Sequence, residues 1–177
     1  MGEKIDVLEH AGEVLPAVNR GVLLTSAANG KVNTMTISWG VLGVEWARPV
    51  FVSFVREGRF TRVLLDEAGE FTIGVPGEGF DRKILARAGS ISGRDVDKIA
   101  ELGLHTVESQ VVSVPAIVET AITLECRVAR RQLQDRNALP ADILGRFYPQ
   151  DVPSTYCDSN CDMHVAYYGE VVAAYTM

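Results

Sequence analysis

Asn29-Gly30 sits between two runs of strand-forming residues, and that pair leaves the backbone few choices. A two-residue type I′ turn needs positive φ at both central positions, and Asn-Gly meets that need at low steric cost. Gly21 to Ala28 before it is apolar and β-branched. Lys31 to Trp39 after it alternates, with Asn33, Met35, Ile37 and Trp39 on one face and Thr34, Thr36 and Ser38 on the other. The segment reads as a β-hairpin, so its surroundings must supply an antiparallel sheet.

Further strands follow from the same periodicity. Val50 to Val55, behind Pro49, and Phe71 to Val75 are short, nearly unbroken apolar runs, as expected of strands covered on both faces. Glu119 to Arg130 sets Ile122, Leu124, Cys126 and Val128 against Thr123, Glu125 and Arg127, the pattern of a long half-buried strand. Arg127, Arg130 and Arg131 are expected to face solvent or a partner subunit. His164 to Tyr175 has strand composition around Gly169.

Between the strands lie short helical patterns. Arg59 to Ala68 stops at Gly69, and Phe80 to Ala88 stops at Gly89. Ser92-Gly93-Arg94-Asp95 resembles a capping box, with Asp95 for the usual Glu, opening a helix that ends near Gly103. The stretch 135–160 contains Pro140, Pro149 and Pro153 and reads as irregular, a lid or a dimer arm. There is no repeat and no linker, so residues 1–177 are read as one domain, a mainly β barrel with short helices.

Composition narrows the functional classes. A net charge of −6 opposes a polyanionic duplex, so no nucleic acid partner is expected. The amino terminus lacks a basic segment followed by an apolar one, and no run is apolar enough to span a bilayer, so the expectation is a cytoplasmic protein off the membrane. Gly74, Gly77 and Gly79 are spaced G-x-x-G-x-G, which is not a dinucleotide fingerprint. His10 and His105 fall in surface segments. Cys157, Cys161 and His164 form C-x3-C-x2-H, a spacing that matches no common zinc module, and no metal is assigned. A metal site or a redox-active thiol pair is the rival reading of that cluster.

Asn33-Thr34-Met35-Thr36-Ile37-Ser38-Trp39 resembles the N-x-M-T-x-S-x strand of the flavin reductase-like FMN-binding split barrels, the family that includes flavoredoxin. Pro49 to Val55, Arg59-Phe60-Thr61, the S-G-R-D-x-D-K string from Ser92 to Lys98 and the H-x-x-x-x-G-E-V string from His164 are similar to that family in the same order. The resemblance implies a Greek-key split β-barrel that forms a homodimer, with FMN in a groove near the subunit interface. It implies that Asn33, Met35 and Thr36 line the ribityl and ring site. It also implies that Ser53, Phe54 and Val55 give backbone hydrogen bonds to the isoalloxazine, and that Thr61 meets the phosphate. Arg59 and Lys98 become further phosphate ligands, one of them able to come from the other subunit. His164 becomes the catalytic candidate, near the nicotinamide or the flavin edge. The activity implied passes electrons from NAD(P)H through FMN to free flavin, ferric complexes or a protein acceptor. The alternative is a flavoredoxin-like carrier reduced by a protein donor.

The residue types suit such a ligand. Thr34, Thr36 and Ser38 present small hydroxyl groups to ring and ribityl oxygens, or Asn33 and Met35 do so if the register is opposite. Ser90, Ser92 and Gly93 precede a helix amino end, a place for phosphate, although Ser92 can equally be a plain helix cap. Lys98 would then lie about two turns into that helix. His164 either orients a nicotinamide, donates to the flavin edge, or begins a strand.

Overall fold

The structure, a computed structural model, describes residues 2–153 and 160–177. Strands β1 (Val22–Ala28) and β2 (Lys31–Ile37) form the expected hairpin, in register from Val22 opposite Ile37 to Ala28 opposite Lys31. Asn29 and Gly30 take φ of 51° and 73°, as a type I′ turn demands.

A second hairpin, β3 (Gly40–Glu45) with β4 (Arg48–Arg56), adds a strand that the residue pattern does not announce. Its turn is Trp46-Ala47, at φ of 53° and 55°. Neither residue favours that conformation, which costs roughly 1–2 kcal/mol per residue, so the turn is imposed by pairing from Gly40 opposite Ser53 to Glu45 opposite Arg48.

The remaining elements are α1 (Ala11–Arg20), α2 (Phe60–Ala68), β5 (Glu70–Val75), α3 (Arg82–Ser90), α4 (Lys98–Glu101), the short pair β6 (Thr106–Val107) and β7 (Ala116–Ile117), β8 (Ile122–Leu133), α5 (Ala141–Phe147) and β9 (His164–Thr176). Seven strands make one antiparallel sheet in the order β2-β1-β5-β8-β9-β4-β3. Its two edge strands, β2 and β3, are joined only by Ser38 and Trp39. Three peptide links reach at most about 11 Å, so the sheet must curl until its edges nearly meet. The result is a barrel with an unpaired seam, and Ser38-Trp39 lies at that seam.

Leu24, Met35, Ile37, Phe51, Phe71, Leu124, Cys126 and Tyr167 fill the barrel, joined by Val14, Ala17 and Val18 from α1. Gly169 permits a close contact in the barrel, since a Cβ there would stand 2.5 Å from the Phe71 ring and 2.9 Å from Cys126 Cβ. Outside the barrel, Leu23 packs with Leu85 and Ala88 of α3 and with Leu104 and Ile117.

Three local expectations are corrected. The helix expected from Ser92 to Gly103 shrinks to the single turn α4, capped by Asp97, whose Oδ1 accepts from Ile99 N and Ala100 N. Ser92 instead closes a turn, its Oγ accepting from Arg94 N, because short polar side chains compete with the helical ladder. Gly89 does not end α3, which starts after its cap Asp81 and runs to Ser90. The stretch read as irregular holds α5, and α1 is a helix despite Pro16 within it. Among the described residues, no helix is long and apolar enough to cross a membrane.

Candidate functional site

Helix α2 buries Thr61, Leu64 and Leu65 and ends at Gly69 in the left-handed conformation, so its amino end is held rigidly against β1 and β2. Arg59 occupies the N-cap without a side-chain cap bond. The first-turn N–H groups and the positive end of the helix dipole are thus available to an anion. A narrow pocket lies at this end, bordered by Asn33, Met35, Arg59, Thr61, Ser92 and Lys98.

Asn33 Nδ2 donates to Thr61 Oγ1 at 2.6 Å, while Asn33 Oδ1 is buried with no partner among the described residues. Lys98 is buried and donates to Ala88 O at 2.7 Å, and Arg59 donates to Gly89 O at 3.1 Å. Burial, and then the nearby Arg59 charge, push the Lys98 ammonium down to about 8. No carboxylate pairs with Lys98 among the described residues. Two cations facing each other at a helix amino end fit a doubly charged phosphate group, which would relieve their repulsion. Gly93 keeps the pocket open, since a Cβ there would collide with Asn33 Oδ1 and stand 2.9 Å from the Phe60 ring.

Met35 and Arg59 also border a second cavity of about 200 Å³, together with Thr36, Ser38, Phe54 and His164. Trp39 and Arg56 complete its wall. The Trp39 ring lies 4.7 Å from the His164 imidazole and 5.1 Å from Phe147. Arg56 donates to Asp162 O at 2.6 Å and Phe147 O at 2.9 Å, tying α5 to the start of β9.

His164 Nδ1 is 2.8 Å from the Tyr148 hydroxyl, and that hydroxyl donates its single proton to Gln134 Oε1 at 2.9 Å. With the hydroxyl proton directed to Gln134, the neutral imidazole donates from Nδ1 and Nε2 is its acceptor. Burial, then the charges of Arg56 and Arg59, lower the His164 pKa to about 3. The ring is neutral at physiological pH.

The fold thus brings Asn33, Met35, Thr36, Ser38, Phe54, Arg59, Thr61, Ser92, Lys98 and His164 to two adjoining cavities. Ser53 and Val55 border neither. Both are fully buried, and Val55 belongs to the barrel core. Both faces of β2 reach a cavity. Asn33 and Met35 border the narrow pocket, and Thr36 and Ser38 join Met35 at the second one, although Thr34 Oγ1 is bonded to Thr25 and Leu24 within the barrel wall and Thr36 donates to Leu85 O under α3. Lys98 reaches the pocket from the first residue of α4, not from two turns into a helix.

Arg56, Trp39 and Tyr148 were not singled out from sequence as site residues. The available signal was Arg56 three residues before Arg59, a pair of cations closing an apolar strand. Tyr148 had none, because its role depends on the 16-residue return to His164.

The family described as flavin reductase like domain matches residues 16–177. This chain belongs to that family. Among relatives of this flavin reductase-like chain are an uncharacterized protein of Archaeoglobus fulgidus, 35% identical over 100 residues, and the uncharacterized YddH of Escherichia coli, 33% identical over 126 residues. They align with 56% and 68% of this chain, which spans 55% and 64% of their lengths, less than two thirds of either. The fold is also that of a flavoredoxin from Methanosarcina acetivorans, with a TM-score of 0.64, 24% identity and coverage of 89% of this chain and 68% of that one. Nitrilotriacetate monooxygenase component B from Bacillus cereus shares it at 0.62, with 20% identity, 99% of this chain and 81% of that one. A further neighbour, from Shewanella frigidimarina, is described as a flavin reductase with a split barrel domain, the architecture of this chain.

Within this flavin reductase-like barrel, no three His, Cys, Asp or Glu side chains group as metal ligands among the described residues. Cys157 of the C-x3-C-x2-H string lies outside them, and the His164 ring is engaged with Tyr148.

Proposed function

We propose that this chain binds FMN and passes electrons from NAD(P)H through it to free flavin, ferric complexes or a protein acceptor, working as a cytoplasmic homodimer. The observation that carries the proposal is that Arg59 and Met35 border both the cationic pocket at the amino end of α2 and the cavity lined by Phe54 and His164. A phosphate-bearing ligand with a flat ring matches that sequence of environments.

Bound FMN would supply the redox chemistry at its ring. Lys98, Arg59, the Thr61 hydroxyl and the α2 amino end would hold the phosphate. Asn33 Oδ1 would gain its missing donor from a ribityl hydroxyl. Phe54 and Met35 would flank the ring, with Trp39 and Phe147 keeping water from its edge. Neutral His164, held by Tyr148, would offer an acceptor at Nε2 without adding charge.

The test is anaerobic addition of NADH or NADPH to the FMN-loaded protein, followed by absorbance. Rapid bleaching of the flavin band supports the reading. A protein that binds FMN but is bleached only by a reduced protein donor is instead an electron carrier of the flavoredoxin kind. A colourless protein that takes up no added FMN overturns both.

A further inference from the structure

The ring cavity has a neighbour of a different character. A third cavity, of about 370 Å³, shares Ser38, Trp39 and Phe54 with it and no residue with the phosphate pocket. Leu15 and Val18 of α1 form its other apolar wall. Arg56 and Arg59 border the ring cavity, but no charged side chain borders this one among the described residues. Its polar groups are Asn19, Ser38 and Gln134.

Gln134 is held in one orientation. Its backbone N–H donates to His164 O at 3.0 Å, and its Oε1 accepts from the Tyr148 hydroxyl at 2.9 Å. With the side-chain oxygen engaged, the amide N–H groups are what Gln134 has left for a guest. The Trp39 indole is set by Phe147 and His164, 5.1 and 4.7 Å from it, yet 37% of Trp39 is exposed, as is 40% of Leu15. Apolar surface left open inside a concavity gives up its water to a flat guest.

We infer that this cavity takes an uncharged conjugated carbonyl compound of the quinone class as an electron acceptor, its ring against Trp39 and its carbonyl oxygen accepting from Gln134. This rests on the flavin reading above and adds a class of acceptor to it. Neutral N–H donors in an apolar wall satisfy a carbonyl oxygen, whereas a phosphate or an anionic ferric chelate would shed water there without meeting a cation. The chemistry balances. NAD(P)H gives up a hydride, by way of the bound flavin, and solvent gives a proton; the quinone takes two electrons and two protons and leaves as the hydroquinone, with NAD(P)+ as the other product.

Calorimetric titration of the FMN-loaded protein, with no reductant present, tests the inference. The probes are duroquinone, which is uncharged, and chloranilate, a dianion on the same fully substituted ring. Duroquinone is expected to bind, and chloranilate at least about tenfold more weakly. Leu15→Trp fills the cavity from α1, and Gln134→Glu keeps an acceptor for Tyr148 while removing the donors. Each is expected to weaken duroquinone about tenfold. Leu15→Trp should leave FMN affinity and the rate of bleaching by NADH within about twofold of the wild type. No binding of duroquinone to protein that holds FMN, chloranilate as tight as duroquinone, or a duroquinone affinity unchanged by Leu15→Trp overturns the inference and leaves the flavin reading intact. So does a raised KM for NADH in Leu15→Trp with duroquinone affinity unchanged, which assigns the cavity to the reductant. A chain that takes up no FMN overturns the flavin reading as well.

Discussion

Asn33 and Thr61, 28 residues apart in the chain, are joined by a 2.6 Å hydrogen bond that couples the inward face of β2 to the first turn of α2. Asn33 gives its amide N–H and keeps a buried, unpartnered oxygen, while Thr61 accepts and keeps its hydroxyl proton. The pair is thus polarised toward the pocket, one acceptor and one donor. Thr61→Ala is expected to weaken FMN about tenfold and riboflavin much less, because a hydrogen bond to a charged group contributes about 1.5–3 kcal/mol. Fluorescence titration with the two ligands checks it, and equal losses would mean that Thr61 does not meet the phosphate.

Lys98 should make flavin binding proton-linked. Its folded pKa is about 8 against an ordinary 10.5, so between those values the unfolded chain holds one more proton than the folded chain. Stability from this group therefore rises with pH across that window, and the penalty is constant below about 8. A bound phosphate favours the charged ammonium, so FMN binding should take up a proton near pH 8 and weaken as pH rises further. Calorimetry in two buffers of different ionisation enthalpy measures that uptake, and Lys98→Met should abolish it.

His164 is expected to stay neutral at physiological pH. Its folded pKa of about 3 lies below the ordinary 6.5, so the unfolded chain binds a proton first and stability is lost as pH falls from 6.5 toward 3. The flavin reduction rate should show no break near pH 6.5. The melting temperature of His164→Asn should fall less than that of the wild type over the same acid range. A rate profile with a clear step at 6.5 would contradict the neutral state of the ring.

Glu125 is fully buried in β8 and accepts backbone N–H groups from Gln110, Val111 and Val112 at 2.6, 2.7 and 3.1 Å. Glu125→Ala would orphan all three donors and is expected to cost about 3 kcal/mol or more, measured by urea unfolding. The site lies elsewhere, so the flavin spectrum of the folded fraction should not change.

Gly169→Ala tests the barrel packing. The added methyl would press on Phe71 and Cys126, neither of which has a free path, and a loss of about 1–3 kcal/mol is expected. Phe71→Leu in the same chain should recover part of it, which a purely backbone effect would not allow.

Short-range chemistry was legible in the residues. Asn29-Gly30 dictates its turn, Gly69 its helix stop, and the period-two pattern its strands, because each depends on neighbours a few positions away. The order of motifs also pointed to the family and to most of the pocket. The Trp46-Ala47 hairpin, the single turn of α4 and the residues Arg56, Trp39 and Tyr148 were not legible, since each is set by segments far apart in the chain.

By itself, the sequence determined that β1 and β2 pair through Asn29-Gly30 and that β2 carries two chemically different faces. What each face meets was decided only by the tertiary structure. Thr36 donates to Leu85 O of α3, while Asn33 donates to Thr61 of α2. The reason is physical: alternation gives a strand two sides, but only the curl of the whole sheet decides which of them is inside.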